Sequence, residues 1–432
     1  MTDNLCRISE ISSKHRRVQN IAHLIDEENL KRIHVTMDGK KARGVDGISK
    51  SEYQKNLNEN ISRLVERMKR QAYVPNASRR VYIDKPGSRK KRPLGISCYE
   101  DKLVEARAAE LLNAIYEPKF YDFSYGFRPE KNCHQAIRKL IHQASHGTRY
   151  IVEADIRSFF DRMDHEWLLK FLSHDIADRR FIELIRRMLK ADVLDEGKLL
   201  NHDAGSPQGS GVSPVLANVY LHYVLDDWFA KVVVKWSKGS ASVIRYADDF
   251  VCCFDYREDA ERFYRALPKR FAKFGLELAE EKTRILQFGI YAAKDRAAKG
   301  EKKPETFDFL GFTFYCGMNQ RGTMSIIKVK SDRKKTTSKL KKLNLWLKEN
   351  RALPVKELIM RINRSLVGHF HYYGVTGNGN SISTFRYRVV GLLFTWLNRR
   401  SQRKSYTWDS FYHGLLKTFP VAMPKIYVNL FE

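Results

Sequence analysis

Two adjacent carboxylates lie in the middle of an apolar stretch of the sequence, and this feature constrains the fold most. Asp248 and Asp249 follow residues 242–246, Ser-Val-Ile-Arg-Tyr, and precede residues 250–254, Phe-Val-Cys-Cys-Phe, with Ala247 between. Flanks rich in Val, Ile, Phe and Tyr predict two short β-strands with the acidic pair at or near the turn. Like charges side by side are unfavourable unless a positive charge lies close to them. A divalent cation such as Mg²⁺, which prefers carboxylate oxygens, would supply that charge.

A third carboxylate has the same setting. Residues 150–154 predict an apolar strand that ends at Asp155. An Asp-Asp pair alone often marks an ordinary surface turn. One carboxylate on a strand and two on a hairpin, however, form an arrangement that can hold two metal ions about 3.5–4 Å apart for in-line phosphoryl transfer. The three positions together therefore favour a two-metal site over a plain turn.

The charge of the chain indicates a polyanionic partner. Its 432 residues include 78 Lys and Arg against 50 Asp and Glu, a formal charge of +28. Such an excess fits nucleic acid better than a small-molecule substrate. Residues 327–432 alone contain 21 basic and five acidic residues, with aromatic residues between them. Cations suit phosphates and aromatic rings suit unpaired bases, although most of these rings would equally fit a helical core.

Other classes of protein are disfavoured by the sequence. No run of 18 apolar residues is present, and the N-terminus does not resemble a signal peptide. The six cysteines form no Cys-x-x-Cys pair, so neither a disulfide framework nor a zinc site is expected. We therefore expect a cytoplasmic protein, associated with RNA or the nucleoid through its positive charge, with no membrane partner.

Hydrophobic periodicity and charge divide the chain into three predicted regions. Residues 1–75 are predicted to be helical, residues 76–330 to mix helices with strands, and residues 331–432 to form a basic helical region. Predicted strands at 79–83 and 92–96 flank a loop with four cations. Such a loop suits a triphosphate, although a solvated basic turn would have the same composition.

Seven blocks in a fixed order resemble those of reverse transcriptases, in particular the group II intron-encoded reverse transcriptase/maturase family. They are Gly-Val-Asp-Gly at 44–47, Arg-Pro-Leu-Gly-Ile at 92–96, Ser-Tyr-Gly-Phe-Arg-Pro at 124–129, residues 155–161, Pro-Gln-Gly at 207–209, Tyr-Ala-Asp-Asp at 246–249 and Phe-Leu-Gly-Phe at 309–312. The resemblance implies an α+β fold. It would be a right-hand polymerase with fingers, a palm built on an antiparallel ferredoxin-like sheet, a helical thumb, and a helical maturase domain.

In that scheme residues 1–75 are an N-terminal extension that joins the fingers. Residues 76–330 are the fingers and palm, and residues 331–432 are the thumb and the maturase (X) domain. The resemblance implies that Asp155, Asp248 and Asp249, with the backbone carbonyl of Ile156, ligate two Mg²⁺ ions. One ion would activate the primer 3′-hydroxyl, and the other would hold the triphosphate.

The resemblance also implies a nucleotide pocket. Lys85 and Arg92 would hold the triphosphate, and Gln208 would help to shape the pocket. Phe160 would be a steric gate that leaves no room for a 2′-hydroxyl, although one of the two phenylalanines at 159–160 is expected to belong to the core. Lys282 would be a fixed charge or general acid near the nucleotide.

The C-terminal helices resemble the region of the family that binds intron RNA. The candidate phosphate contacts are Lys334, Lys335, Lys339, Lys341 and Lys342. Any one of them could equally be a solvated surface lysine.

Two departures from the family pattern stand out. Ser210 replaces the usual second glycine after Pro-Gln-Gly, and its small side chain is expected to fit. The sequence ends soon after Tyr427, so we expect the form without an endonuclease domain and no DNA nicking.

The implied function is an RNA-directed DNA polymerase that copies RNA into DNA by two-metal nucleotidyl transfer. Maturase activity would assist group II intron splicing and retromobility. The partners would be an RNA template with a DNA primer, deoxynucleoside triphosphates and group II intron RNA. Two alternatives stay open: an RNA-binding splicing cofactor with incidental polymerase activity, and a domesticated reverse transcriptase in repair or phage defence.

Overall fold

The structure is a computed structural model, and it describes residues 3–84, 91–195, 198–200, 205, 209–402 and 405–431. Helices and strands both contribute, so the predicted α+β class is confirmed. The chain forms two compact units. The first contains the described parts of residues 3–136 and 152–285, and the second contains residues 137–151 and 286–431. None of the described helices is long and apolar enough to cross a bilayer.

The elements up to residue 221 include the predicted helical N-terminal region. They are α1 (Asp3–Ser13), α2 (Glu27–Thr36), α3 (Lys50–Gln54), α4 (Leu57–Lys69), β1 (Ser78–Asp84), β2 (Lys91–Ile96), α5 (Tyr99–Tyr116), α6 (Cys133–Ser145), β3 (Tyr150–Ala154), α7 (Phe159–Arg162), α8 (His165–Asp175), α9 (Arg179–Leu189), β4 (Val193–Asp195), β5 (Lys198–Leu200) and α10 (Ser213–Leu221). Side-chain caps begin several of these helices. Asp26 accepts from the Asn29 amide before α2, and Ser49 forms a capping box with Glu52 in α3.

The remaining elements begin with π-helical turns at His222–Asp226 and Phe229–Val233, which continue α10. They are followed by α11 (Val234–Trp236), β6 (Ala241–Tyr246), β7 (Asp249–Phe254), α12 (Arg257–Ala272), a 3₁₀ turn (Glu280–Lys282), β8 (Arg284–Gln287), α13 (Ile290–Ala298), β9 (Phe307–Phe309), β10 (Phe312–Met318), β11 (Ser325–Ser331), α14 (Arg333–Glu349), α15 (Val355–Tyr373), α16 (Gly379–Leu397), a π-helical segment (Ser410–Leu415) and α17 (Leu416–Thr418).

The sheet that carries the acidic hairpin has the strand order β6-β7-β3-β8. With the helices between its strands, it follows the β-α-β-β-α-β succession of a ferredoxin-like unit. Every residue of β7 from Phe250 to Phe254 is buried, so this strand is covered on both faces. Only its first residue, Asp249, is exposed. The sheet therefore buries the apolar part of the hairpin and leaves its acidic tip accessible.

A second sheet lies in the same unit and supports the candidate nucleotide residues. Its order is β2-β1-β4-β5, with β1 and β2 antiparallel from the Arg79–Ile96 pair to the Asp84–Lys91 pair. The two strands predicted at 79–83 and 92–96 are therefore confirmed as a hairpin. Arg92 lies on β2, opposite Ile83.

The second unit contains the antiparallel sheet β9-β10-β11 and the long C-terminal helices. The helices α14, α15 and α16 bury an apolar core that includes Leu347, Ile362, Leu366, Val389 and Leu393. Residues 333–349, within the region predicted to be helical, form α14. Its apolar positions face this core, and its cations are therefore directed mostly to solvent.

Candidate active site

The acidic pair lies at the tip of a tight hairpin. Tyr246 on β6 pairs with Asp249 on β7, which leaves Ala247 and Asp248 as a two-residue turn. Such turns need a backbone of positive φ, and Ala247 has φ +58°. For an alanine this conformation costs about 1 kcal/mol. Contacts from neighbouring residues must therefore hold the turn in place.

The block at residues 124–129 supplies one of these contacts. The Tyr125 amide donates to the Arg245 carbonyl at 2.8 Å, and the Arg245 amide donates to the Phe123 carbonyl at 2.9 Å. Gly126 lies so close to the turn that a Cβ on it would be 2.3 Å from the Ala247 nitrogen. The glycine of this block is therefore required for a close backbone approach behind the acidic tip.

A buried ion pair supplies the second support. The Arg245 guanidinium donates to both carboxylate oxygens of Asp226, Nε to Oδ1 at 2.8 Å and Nη2 to Oδ2 at 2.5 Å. Its Nη1 donates to Asn218 Oδ1 at 2.9 Å and to the Ala247 carbonyl at 3.0 Å. Both charged side chains are fully buried, and Asn218 in turn donates to the Gly126 carbonyl. The network joins the strained turn to the interior of the protein.

Sequence reasoning missed Arg245, Asp226 and Asn218 as supports of the site. The available signal was an arginine inside a strand that is otherwise apolar, since a buried charge needs a partner. Asp226 lies in a π-helical turn, a local irregularity that occurs often near functional sites.

Asp155 lies at the end of β3 and faces a lysine. The Ala279 amide donates to the Asp155 carbonyl at 2.8 Å, while Ile156 forms an antiparallel bridge with Leu278. Because the residues flanking this antiparallel bridge make its hydrogen bonds, the carbonyl of Ile156 points away from Leu278. The ammonium of Lys282 forms an ion pair with the Asp155 carboxylate, which raises the pKa of Lys282. Asp155 and Lys282, both predicted site residues, are therefore direct neighbours.

The three predicted carboxylates share one electrostatic environment. Burial raises the pKa of Asp248, the charge of Asp155 raises it further, and Arg92 and Arg245 act against this rise. The charge of Asp249 helps to raise the pKa of Lys282. Asp248 thus lies within electrostatic reach of Asp155 and Arg92, and Lys282 lies within reach of Asp155 and Asp249. In the described part of the chain, no three acidic, His or Cys side chains already converge as a metal site.

The two phenylalanines after Asp155 have different environments. Phe159 is 2% exposed and packs near Tyr220, whereas Phe160 is half-buried, with the two phenylalanine rings 5.4 Å apart. The core position is therefore Phe159, and Phe160 can contact a ligand. Gly205 approaches this segment closely, since a Cβ on it would be 2.8 Å from the Phe160 carbonyl oxygen. Lys85 and Gln208 lie outside the described residues.

The predicted RNA contacts on α14 are not equivalent. Four of them are exposed: Lys334, Lys335, Lys341 and Lys342. Lys339 is half-buried and donates to the Ser365 carbonyl at 3.2 Å, and its Nζ lies 5.7 Å from the centroid of the Phe385 ring. Burial lowers its pKa. Lys339 therefore belongs largely to the packing between helices, because its apolar stem covers the core.

Known proteins are similar to this chain in sequence. A model of the reverse transcriptase (RNA-dependent DNA polymerase) family matches residues 83–314, and one of the group II intron maturase-specific domain matches residues 334–412. The group II intron-encoded protein LtrA of Lactococcus lactis subsp. cremoris is 28% identical over 408 residues, covering 76% of this chain and 66% of LtrA. Protein YkfC of Escherichia coli (strain K12) is 33% identical over 268 residues, covering 54% of this chain and 70% of YkfC.

A further relative is an uncharacterized 91 kDa protein in a cob intron of Schizosaccharomyces pombe. It is 43% identical over 162 residues, covering 38% of this chain and 20% of that protein. The first family model alone covers more than half of the chain and includes Asp155 and the acidic hairpin. This chain therefore belongs to the reverse transcriptase family, and it carries the maturase-specific domain of group II introns after the reverse transcriptase domain.

Proposed function

We propose that this chain is an RNA-directed DNA polymerase that copies RNA into DNA by two-metal nucleotidyl transfer. The observation that carries the proposal is that β7, which begins at Asp249, pairs with β3, which ends just before Asp155, while the ammonium of Lys282 contacts the Asp155 carboxylate. Carboxylates can hold the cations, and a lysine or arginine can contact the phosphates, in a reaction between a hydroxyl and a triphosphate. Catalysis of this kind depends mainly on positioning and electrostatic stabilisation.

The proposed architecture is a right hand. The sheet β6-β7-β3-β8 would be the palm, the β1–β2 hairpin would belong to the fingers, and the helices from α14 onward would form the thumb and maturase domain. The proposed boundaries remain 1–75 for the N-terminal extension, 76–330 for fingers and palm, and 331–432 for thumb and maturase. The ferredoxin-like succession of the palm strands supports this assignment.

The donor atoms of the site fit two magnesium ions. Asp155, Asp248, Asp249 and the carbonyl of Ile156 offer only hard oxygens, and the mutual repulsion of the carboxylates would be relieved by cations. When bound, the ions would lower the pKa of the primer 3′-hydroxyl and neutralise charge on the triphosphate. Lys282 would exchange its contact with Asp155 for one with the phosphates. There its ammonium would act as a fixed positive charge or as a general acid toward the departing pyrophosphate.

Nucleotide selection is assigned to residues around this centre. Arg92, together with Lys85, would hold the triphosphate, and Gln208 would shape the pocket. Phe160 would exclude the 2′-hydroxyl of ribonucleotides, because its ring is only half-buried and lies five residues after Asp155.

Replacing Phe160 with alanine should relax sugar selection. Removal of the ring makes room for the 2′-hydroxyl, so the ratio of kcat/KM for ribonucleotides to that for deoxynucleotides should rise on the order of 10²-fold. Single-nucleotide incorporation with matched ribo- and deoxynucleotides measures this ratio. Phe159→Leu is the control, since it perturbs the buried neighbour and should leave the ratio unchanged. An unchanged ratio in Phe160→Ala would assign the gate to another residue.

Maturase activity is proposed alongside synthesis, and the match to the maturase-specific domain at residues 334–412 supports it. Group II intron RNA would be the partner, with deoxynucleotides, template and primer as substrates of the polymerase. Lys334 and Lys335 are exposed in the first turn of α14, where the helix dipole adds positive potential. Lys341 and Lys342 would extend this phosphate-binding surface about two turns further along the helix.

The test of the proposal is primer extension. Purified protein is given an RNA template, an annealed DNA primer, deoxynucleotides and Mg²⁺, and template-length DNA is expected. Reactions without template and with template pre-digested by ribonuclease exclude untemplated addition. Folded protein that binds the intron RNA and promotes its splicing, but extends no primer, would instead identify an RNA-binding splicing cofactor.

A further inference from the structure

Glu105, on α5, is a buried carboxylate that is not one of the three catalytic candidates. Glu105 accepts a hydrogen bond from the Ser97 hydroxyl at 2.7 Å through Oε1, and one from the Gly211 amide at 2.8 Å through Oε2. The Ser210 hydroxyl lies beside this carboxylate and, like Ser97 and the Gly211 amide, counteracts the rise in its pKa. The three donors are neutral, and burial raises the pKa of Glu105. Burying such a group is costly, so its position calls for an explanation beyond packing.

The donors come from two segments with candidate nucleotide-binding residues. Ser97 directly follows β2, the strand that carries Arg92, whereas Ser210 and Gly211 directly follow Pro-Gln-Gly at 207–209. Glu105 therefore joins the end of β2 to the start of the next loop. In both segments the contact is made within a few residues of a position assigned to the nucleotide.

A glycine brings the two segments together. Gly209 has φ +117°, and a Cβ on it would lie 2.5 Å from the Gly95 carbonyl oxygen. Its backbone therefore lies directly against β2, in a conformation that other residues rarely adopt. Close approach at Gly209 and hydrogen bonds at the next two residues fix the loop from two sides.

We propose that Glu105, which α5 holds in place, and Ser210 form a clamp that positions the loop at residues 209–211 and thereby sets the affinity for the incoming deoxynucleotide. This inference rests on the proposed function, because it assigns the clamp to the nucleotide pocket of the polymerase. Glu105 and Ser210 are positioning residues and do not touch the reacting atoms. The serine at a position where the family usually has glycine contributes a hydrogen bond that glycine cannot form.

The alternative is a purely structural role for the buried carboxylate. A structural role would change the melting temperature in every variant that loses a hydrogen bond to Glu105. A positioning role would raise the KM for deoxynucleotides only when the lost bond is on the loop side. The two sides of the carboxylate can be tested separately, because Ser97 and Ser210 donate from different segments.

The experiment is steady-state primer extension by the full chain with Ser210→Ala, Ser97→Ala, Glu105→Gln and the double variant Ser210→Ala/Glu105→Gln. Ser210→Ala should raise the KM for deoxynucleotides about 3- to 10-fold, with kcat within about twofold of wild type. Ser97→Ala is the matched control and should leave KM within about twofold. Glu105→Gln replaces one acceptor oxygen with an NH₂ group, and because Ser210 and Glu105 act through one contact, the double variant should raise KM by less than the product of the two single effects.

Two results would overturn the clamp. An unchanged KM in Ser210→Ala and Glu105→Gln, with only lower melting temperatures, would leave a structural role. Equal increases of KM in Ser97→Ala and Ser210→Ala would show general loosening instead of positioning of the loop. A wild-type protein that extends no primer would refute the proposed function and this inference with it, whereas an active wild type with unchanged KM in the variants refutes the inference alone.

Discussion

Asp248→Asn should abolish primer extension and lower kcat by at least about 10³-fold, while it leaves the protein folded and able to bind RNA. The asparagine has nearly the same size but carries no charge, so a cation would lose one of its ligands. Single-turnover extension on an RNA template measures the loss, and filter binding of the same RNA measures what is retained.

The same substitution should raise the melting temperature when no divalent ion is present. The pKa of Asp248 is raised, chiefly by burial and then by Asp155, so ionisation of this carboxyl is less favourable in the folded than in the unfolded protein. Stability contributed by the protonated form is therefore lost as pH rises from the ordinary aspartate pKa through the raised value. Asparagine removes this pH-dependent loss of stability. The increase in melting temperature over wild type should therefore be largest at pH values above the raised pKa. A functional residue that destabilises the fold is expected at a site selected for chemistry.

Asp255→Asn is the matched control. It makes the same chemical change directly after β7, where the Asp255 side chain accepts from the Ser240 amide at 2.9 Å. An amide oxygen can still accept there, so extension should be unchanged. Near wild-type extension by Asp248→Asn would remove Asp248 from the proposed metal ligands, and equal losses in both variants would indicate general damage to the hairpin.

Local patterns were sufficient to predict the elements that carry the candidate site. Alternating and continuous apolar runs indicated the hairpin at residues 241–254 and the strand before Asp155, because strand burial follows directly from such runs. Helical periodicity predicted the basic helical region that begins at residue 331 and contains α14. These features depend on residues that are close together in the sequence.

Features that depend on distant partners were not predictable in the same way. Lys282 pairs with Asp155, which is 127 positions away in the sequence. Arg245 pairs with Asp226, although the sequence contains many other acidic residues. Lys339 has the same local sequence environment as its exposed neighbours, and only the packing of α15 and α16 makes it half-buried. The amino-acid composition changes near residue 330, but the compact unit that contains the C-terminal helices already includes the residues from 286 onward. Within it, β11 packs with α13 and α16. The bounds of the unit thus depend on contacts, which composition does not encode.

The buried pair behind the turn should be the most sensitive structural element of the site. Asp226→Asn or Arg245→Met leaves one partner without its counter-charge in the interior, where both side chains are fully buried. We expect the free energy of unfolding to fall by about 3–5 kcal/mol, as measured by urea denaturation. Arg284→Met is the control, because it breaks the more exposed Arg284–Glu153 pair and should cost about 0–1 kcal/mol.

A double variant separates the stability of this pair from its role at the turn. Arg245→Met/Asp226→Leu removes both charges, so apolar packing should recover most of the lost stability. It also removes the donor to the Ala247 carbonyl, which holds the strained backbone before Asp248. Primer extension should therefore stay well below wild type in a protein that is stable again. Full recovery of both stability and primer extension would show that the pair serves stability alone. The backbone contacts of Gly126 and Tyr125 would then be enough to hold the acidic tip.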